Sequence, residues 1–237
     1  MSRLTIAIPT FRRPQDLKRA VIGVLEQAGE LVGGSSAEAR EPEGDAAGAA
    51  DVDGVAGRGV SDVEVLVIDN DAQGTGREAA LAAAADAGVP VRSSAEAPEE
   101  PGGVGLRYVV EERPGVAAVR NRALDETGGR DLLVFIDDDE EPEPGWLAAL
   151  VGLWASTGCQ AVAGPVIPVY EVEPEAWVRQ GEFFVRRTWP TGTVRPVAAS
   201  NCLLLDLGFV RRAGLRFDEA FGATGGEDTL FTRRLSA

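Results

Sequence analysis

Three consecutive carboxylates directly follow a run of five apolar residues in the middle of the chain. The run, 132–136, is typical of a strand buried on both faces, and Asp137, Asp138 and Asp139 come next. On an extended backbone, Asp137 and Asp139 point to the same side. Carboxylates held this close repel one another unless a cation intervenes, and a hard divalent ion that also binds phosphate has the required chemistry. The alternative is a solvated acidic turn; we favour the metal site, because buried strands seldom end in three carboxylates without a functional cause.

Two further groups of polar residues follow predicted strands. Pro9–Arg13 comes after the first strand and contains two arginines, and Asp69 comes directly after the second. In open α/β sheets the ligand crevice lies beyond the carboxyl ends of the strands, so these residues and the acidic cluster should meet there. Cations and loop N–H groups suit a diphosphate, and carboxylates suit a base edge, ribose hydroxyls and a metal. The pattern indicates a nucleoside-diphosphate pocket. The chain has no Walker loop and no Gly-x-Gly-x-x-Gly sequence, which argues against P-loop and dinucleotide-binding sites.

Composition excludes several classes of protein. The 237 residues are enough for a substantial core, and the formal net charge of −15 argues against nucleic-acid binding, which needs a basic surface. The absence of histidine excludes histidine-based triads and zinc sites, so acid–base chemistry falls to carboxylates, Tyr108, Tyr170, Lys18 or the cysteines. Cys159 and Cys202 make no disulfide framework, which predicts a reducing, cytosolic setting. No apolar segment of the sequence is long enough to span a bilayer.

Apolar spacing alternates between strand and helix as far as residue 157. Strands are predicted at 4–9, 63–68, 107–111 and 132–136, and helices at 14–27, 76–87, 116–128 and 142–157. Such alternation is typical of a parallel, doubly wound sheet. Residues 28–62 differ, since they contain no aromatic residue and carry eight acids against two arginines, a net charge of −6. This segment is predicted to be a disordered insertion. Residues 90–105 are predicted to contain a second loop.

The second half of the chain has a different pattern. Strands are predicted at 161–170 and 197–205, and a helix begins at Thr229. Four aromatic residues lie among charges between these strands: Trp177, Phe183, Phe184 and Trp189. We favour core packing for these aromatics, and the alternative is a surface on which acceptor sugars stack.

Taken together, these segments resemble the family 2 glycosyltransferases, which have the GT-A fold. Six segments carry the resemblance, in the family's order: IAIPTFRRP (6–14), VLVIDND (65–71), PGVAAVRNRAL (114–124), VFIDDDEEP (134–142), ASNCLLL (199–205) and FDEAFGATGGEDTLF (217–231). The resemblance implies an α/β, Rossmann-like fold with a mostly parallel central sheet, flanking helices and a smaller mixed acceptor-side part. It implies a single GT-A catalytic domain, 1–237, with a nucleotide-sugar-binding half, 1–141, and an acceptor-side half, 142–237, that is short at its C-terminus.

The resemblance also implies roles for individual residues. Asp228 would be the general base, with Glu227 a less favoured candidate, and Asp139 would hold Mn²⁺ or Mg²⁺. Asp137 would contact the ribose or the sugar, whereas Asp138 receives no role because it should point to the other side of the strand. The nucleotide pocket would be lined by Pro9, Thr10, Arg12, Asp69 at the base, and Arg120 near the diphosphate.

The implied reaction is an inverting, metal-assisted transfer from a nucleotide-diphosphate sugar, expected to be a UDP-sugar. The acceptor would be a hydroxyl on a saccharide, a lipid-linked molecule or another compound, in the assembly of a cell-envelope polysaccharide. The expected location is the cytoplasm, with peripheral attachment at the inner face of the membrane as a further option. The sequence departs from many GT-A enzymes in having no later histidine as a metal ligand. Two other functions stay open: a sugar-nucleotide-binding domain without transfer activity, and a nucleotidyltransferase, against which the lack of a Gly-rich, lysine-bearing first loop speaks.

Overall fold

A computed structural model describes residues 1–34, 59–93, 102–221 and 225–236. The strands are β1 (Ser2–Thr10), β2 (Val60–Asp69), β3 (Gly103–Val110), β4 (Leu132–Ile136), β5 (Ala161–Ala163) and β6 (Cys202–Asp206). They form a six-stranded sheet in the order β3-β2-β1-β4-β6-β5. The helices are α1 (Pro14–Gly34), α2 (Arg77–Asp86), α3 (Val116–Glu126), α4 (Trp146–Thr157), α5 (Ala176–Gln180), α6 (Leu207–Arg212) and α7 (Glu227–Leu235), and a 3-10 turn covers Glu219–Phe221.

The sheet is mostly parallel and covered on both faces. The β1–β2, β2–β3 and β1–β4 pairs are parallel, whereas β6 runs antiparallel to both β4 and β5. Helices α1, α2 and α4 contribute to the apolar cluster on one face, and α3, α6 and α7 to the cluster on the other. Every residue of β4 is buried, which explains its uninterrupted apolar run. The predicted fold class is confirmed, including the smaller mixed part formed by β5 and β6.

The predicted boundaries of the disordered insertion, 28–62, are wrong at both ends. Helix α1 continues to Gly34, because Ala28 is buried and Leu31 and Val32 still pack against the apolar cluster on this face. Strand β2 begins at Val60, which is also buried. Tertiary packing stabilises the end of this helix and the start of this strand. A composition rich in glycine, alanine and acids does not reveal such packing. Residues 35–58, the remainder of the predicted insertion, lie outside the described residues.

The boundaries of other strands also differ from the prediction. Strand β3 begins at Gly103, inside the predicted loop 90–105, of which residues 94–101 lie outside the described part. The strand predicted at 161–170 is only three residues long. The Gly164 N–H still donates to the Cys202 carbonyl over 2.9 Å, so the pairing with β6 reaches this residue. Pro165 then follows, and it has no N–H to donate to a strand ladder.

The four aromatic residues predicted to pack in the core are exposed instead. Trp177 is 63% exposed, Phe183 65%, Phe184 58% and Trp189 45%. The segment between β5 and β6 runs outside the sheet, and its one helix, α5, buries none of its residues. No helix among the residues that the structure describes combines the length and apolar character needed to cross a membrane.

Candidate active site

The ends of β1 and β4 bring the first loop onto the acidic cluster. Thr10 closes β1 and donates its hydroxyl to Asp138 Oδ2 over 2.7 Å. Arg13 Nη1 lies 2.7 Å from Asp139 Oδ2 and 3.4 Å from Asp138 Oδ1. Asp138 is buried, whereas the Asp139 side chain is 54% exposed. Asp138, which has no predicted role, therefore fastens the loop after β1 to the end of β4, and Asp139 is the carboxylate of the cluster that faces solvent.

Asp137 lies in a partly buried position between carboxylates and arginines. Burial raises the pKa of Asp137 above its ordinary value, and the positive charges of Arg120 and Arg186 oppose that rise. Glu140 accepts hydrogen bonds from Asn201 Nδ2 over 2.6 Å and from the Asp137 N–H over 3.3 Å. Burial, reinforced by the charge of Asp137, raises the pKa of Glu140 to about 7. Sequence reasoning missed Glu140 and Asn201 as partners, although both lie in segments that resemble the family.

Asp69 is fully buried and uses both carboxylate oxygens within its own neighbourhood. Its Oδ1 accepts from the Asp71 N–H over 2.9 Å, and its Oδ2 accepts from the Gly76 N–H over 2.7 Å and the Tyr108 hydroxyl over 2.5 Å. A Cβ at Gly76 would lie 3.0 Å from Asp69 Oδ2, so this approach favours glycine. In this geometry Asp69 organises the loop after β2. Because Asp69 is fully buried, its predicted contact with a nucleotide base would require this loop to move.

Arg12 connects the loop after β1 to the loop after β2. Arg12 Nε lies 3.1 Å from Asp71 Oδ2, and the Arg12 side chain is 61% exposed. Its backbone has a φ of 56°, a left-handed conformation that residues other than glycine seldom adopt. Pro9 lies one residue before Thr10, within β1 and in register with Ile68. The structure thus places Thr10 and Arg12 at the carboxyl end of β1, where the crevice is predicted, and Pro9 within β1.

Arg120 on α3 and Glu227 in the first turn of α7 form a buried ion pair. The distance between Arg120 Nη1 and Glu227 Oε1 is 2.5 Å, and each side chain is 7% exposed. Arg120 Nε and Glu227 Oε2 have no hydrogen-bond partner among the residues that the structure describes. Arg120, predicted to approach a diphosphate, is therefore held by Glu227 while its charge also acts on Asp137. Glu227 is committed to this pair, which makes it a poor candidate for the general base.

Asp228 follows Glu227 and is partly exposed. Its Oδ1 accepts from the N–H of Thr229 over 2.7 Å, and a carboxylate in the first turn of a helix is favoured by the helix dipole whatever its function. The position of α7 is fixed by the core, since Phe231 stacks on Phe217 with 4.1 Å between ring centroids. Thr232 Oγ1 also accepts a hydrogen bond from the Ala198 N–H over 3.1 Å. Asp228 is thus a partly exposed carboxylate on a well-anchored helix.

The acidic cluster does not by itself form a closed metal cage. Across the described ranges, no group of three or more His, Cys, Asp or Glu side chains is placed to hold a metal ion. Magnesium-type ions in proteins commonly take one or two carboxylates and complete their shell with water and substrate phosphates. An exposed carboxylate such as Asp139 fits an ion of that kind, one that arrives with a phosphate ligand, once Arg13 releases it.

The sequence matches the profile of one protein family and one characterised relative. The profile described as "Glycosyl transferase family 2" matches residues 52–202. The succinoglycan biosynthesis protein ExoM of Rhizobium meliloti (strain 1021) is 36% identical over 132 residues, which is 53% of this chain and 40% of ExoM. The matched part therefore spans less than half the length of this relative.

Solved structures of two glycosyltransferases have the same fold. TarS of S. aureus, residues 1–349, superposes with a TM-score of 0.56 at 12% identity, covering 98% of this chain and 55% of that one. The mannosyltransferase PcManGT of Pyrobaculum calidifontis, in complex with GDP-Man and Mn²⁺, gives a TM-score of 0.57 at 16% identity, covering 96% and 50%. At these identities the likeness shows a common fold, that of the GT-A glycosyltransferases. This chain spans about half the length of each of these structures.

Proposed function

The chain belongs to glycosyl transferase family 2, and we propose that it transfers a sugar, with inversion, from a nucleotide-diphosphate sugar to an acceptor hydroxyl. One observation carries the proposal: the loop after β1, the end of β4 and the Arg120–Glu227 pair lie together at the carboxyl ends of the parallel strands. Thr10 and Arg13 contact the acidic cluster there, and the charge of Arg120 acts on Asp137. This is the crevice in which open α/β sheets bind their ligands.

In the proposed reaction Asp228 is the general base. The acceptor oxygen attacks the anomeric carbon, the bond from that carbon to the diphosphate oxygen breaks, and the hydroxyl proton passes to the carboxylate. Attack from the side opposite the leaving diphosphate inverts the configuration. Asp228 suits this role because it is partly exposed, whereas the neighbouring Glu227 is buried in an ion pair.

The proposed donor site uses cationic and acidic side chains for different parts of the donor. Arg12, with its exposed guanidinium, and Arg120 would compensate the negative charge of the diphosphate, and Thr10 would hold the loop that approaches it. Asp137 would accept hydrogen bonds from the ribose or the transferred sugar. Asp139 would hold Mn²⁺ or Mg²⁺, an ion that supplies Lewis-acid stabilisation of the charge developing on the leaving diphosphate.

We propose a UDP-sugar as the donor and an envelope or extracellular polysaccharide precursor as the acceptor. Structures of S. aureus TarS with UDP and with UDP-GlcNAc have this fold, which supports testing uridine donors first, and the GDP-Man complex of PcManGT supports including a guanosine donor. The similarity to ExoM, a succinoglycan biosynthesis protein, supports a saccharide acceptor, on a lipid carrier or free. We propose a cytoplasmic location, with peripheral attachment at the inner face of the membrane if the acceptor is lipid-linked.

The test is a nucleotide-release assay with UDP-glucose, UDP-galactose, UDP-GlcNAc and GDP-mannose, each with Mn²⁺ and with EDTA. The proposal predicts release of nucleoside diphosphate from one donor class, dependent on the metal. Donor binding without release in the presence of acceptor extracts would instead indicate a sugar-nucleotide-binding domain. Release of pyrophosphate from a nucleoside triphosphate plus a sugar phosphate would indicate a nucleotidyltransferase.

A further inference from the structure

The segment between β5 and β6 carries an unusual concentration of exposed apolar side chains. Ten of the thirteen large hydrophobic residues exposed in the described ranges lie between Ile167 and Val194. Residues 181–196 are exposed without interruption, and α5 just before them buries none of its residues. Isolated exposed apolar residues are ordinary, but a contiguous set marks a surface that another phase or molecule covers.

The aromatic rings of this segment are organised into contacts with one another. Trp177 and Phe183 have ring centroids 5.8 Å apart, and Tyr170 and Phe184 have centroids 6.2 Å apart, both in edge-on arrangements. Farther along, the guanidinium carbon of Arg195 lies 3.9 Å from the ring centroid of Trp189. We call residues 183–195, together with the two aromatics that contact them, Tyr170 and Trp177, the aromatic–arginine surface.

The charge of this surface opposes that of the whole chain. Residues 183–195 contain three arginines (Arg186, Arg187 and Arg195) and no acid, which gives a local charge of +3 in a chain of formal net charge −15. The acids that precede this stretch are engaged locally in part: Glu173 pairs with Arg179, and Glu175 accepts a hydrogen bond from the Trp177 indole. Glu171 and Glu182 also flank the stretch and are exposed, so the positive charge is confined to residues 183–195.

Aromatic rings interleaved with arginines suit a lipid headgroup region. Tryptophan and tyrosine favour the membrane–water boundary, where an apolar ring and a polar edge are both accommodated. Arginine places its aliphatic stem beside apolar groups and its guanidinium among lipid phosphates. Anionic lipids complement the local positive charge, whereas the negative charge of the rest of the chain disfavours a broad electrostatic contact. The attachment is therefore expected to be confined to this surface.

The surface also borders the candidate active site. The segment that carries it ends at Asn201, whose Nδ2 donates to Glu140 Oε1 over 2.6 Å directly after the acidic cluster. A bilayer in contact with the surface would thus lie beside the crevice at the end of β4. An acceptor held at the membrane plane would reach the crevice from this side.

We propose that the aromatic–arginine surface docks the protein onto an anionic lipid bilayer, with Phe183, Phe184 and Trp189 entering the headgroup region and the arginines binding lipid phosphates. The docking itself does not depend on the proposed glycosyl transfer; only its use in presenting a lipid-linked acceptor rests on that function.

The test is co-flotation of the whole chain with phosphatidylcholine vesicles, prepared with and without phosphatidylglycerol, in the absence of nucleotide. We expect flotation with the anionic vesicles, weaker flotation at high salt, and a blue shift of tryptophan emission on binding. Substituting Phe183→Ser, Phe184→Ser and Trp189→Ser together should reduce the apparent affinity by roughly tenfold or more, and Arg187→Gln with Arg195→Gln should remove the preference for anionic lipid.

Two controls keep the outcome unambiguous. Arg233→Gln with Arg234→Gln removes the same charge from two exposed arginines in the last turn of α7 and should float like the wild type. Asp228→Asn should also float like the wild type. The docking result can therefore be interpreted even if the transfer hypothesis fails.

Three outcomes would overturn the proposal. They are no flotation with either vesicle, equal flotation of the aromatic variant and the wild type, and aromatic-dependent binding to a soluble polysaccharide without vesicle binding. The substituted side chains of the aromatic–arginine surface are all exposed, and unchanged thermal midpoints would establish that the variants fold.

Discussion

Arg120 on α3 and Glu227 on α7 face each other across a buried ion pair, with 2.5 Å between Nη1 and Oε1. The guanidinium also lies over the ring of Phe217, 5.7 Å from its centroid. The pair therefore joins the helix whose arginine influences Asp137 to the helix that carries the proposed base, Asp228. Because both side chains are almost fully buried, the link should matter for stability as well as for the geometry of the site.

Removing one partner of this pair should be costly. Glu227→Ala leaves the Arg120 guanidinium buried without its counter-charge, and we expect a loss of about 3–5 kcal/mol in the free energy of unfolding, measured by urea denaturation. The matched control is Asp125→Ala, which breaks the half-exposed pair with Arg216 and should cost less than about 1 kcal/mol. If Glu227→Ala costs no more than this control, the pair is not the link described above.

Asp228→Asn should abolish transfer and spare donor binding. The amide keeps the size of the side chain and cannot take the acceptor proton, so kcat should fall by roughly 100-fold or more. Isothermal titration with UDP should give an affinity close to that of the wild type, because Asp228 lies on α7 and not in the loops after β1, β2 or β4. Unchanged transfer by the variant would remove Asp228 from the mechanism.

Asp139→Ala should uncouple nucleotide binding from the metal. In the wild type, UDP affinity measured by titration should be higher with Mn²⁺ than with EDTA, and in the variant the two values should be nearly equal. The control is Glu141→Ala, which removes a largely exposed carboxylate near the cluster and should retain the metal effect. Equal UDP affinity with and without Mn²⁺ in the wild type would show that the metal role is wrong.

Glu140 should make the protein less stable as the pH rises. Its pKa is raised from 4.5 to about 7 in the folded protein by burial, so the folded state binds the proton more tightly than the unfolded state. The resulting stabilisation is complete below the unfolded pKa and is lost as pH rises through the folded pKa. With partial screening by solvent, the change is on the order of 2 kcal/mol. Glu140→Gln should flatten this part of the stability profile, measured in EDTA between about pH 4 and pH 8.

Asp125, whose contribution to stability changes with pH in the opposite direction, serves as the control for the Glu140 profile. The hydrogen bond from Arg216 lowers the pKa of Asp125, so this carboxylate stabilises the fold above its unfolded pKa and loses that contribution as the pH falls. Asp125→Asn should therefore change the acid side of the curve and leave the region around pH 7 unaffected. A Glu140→Gln profile parallel to the wild type over the whole range would contradict the assigned shift.

Local patterns in the sequence were sufficient for much of the fold. The apolar run 132–136 was predicted as a buried strand and corresponds to β4 with the same boundaries. The helical spacing after Pro14 likewise predicted α1, although not its last seven residues. Such patterns succeed because the spacing of apolar residues within one element directly reflects which of its faces are buried. The strand predicted at 161–170 is too long, because Pro165 follows the last residue bonded to β6 and has no N–H to donate.

Some properties of the candidate site can be predicted from the sequence, and others depend on the folded chain. The order of amino acids was enough to establish which residue types are available: carboxylates at the end of β4, arginines after β1, and no histidine. Which of them already have partners depends on the folded chain. Asp69 is enclosed by donors from its own loop and β3, and Arg120 is paired with a residue 107 positions away. Folding also exposed Trp177 and its neighbours, which composition had favoured for the core. Burial and long-range pairing depend on how strands are ordered and helices packed, and the spacing of residues along the chain carries little of that information.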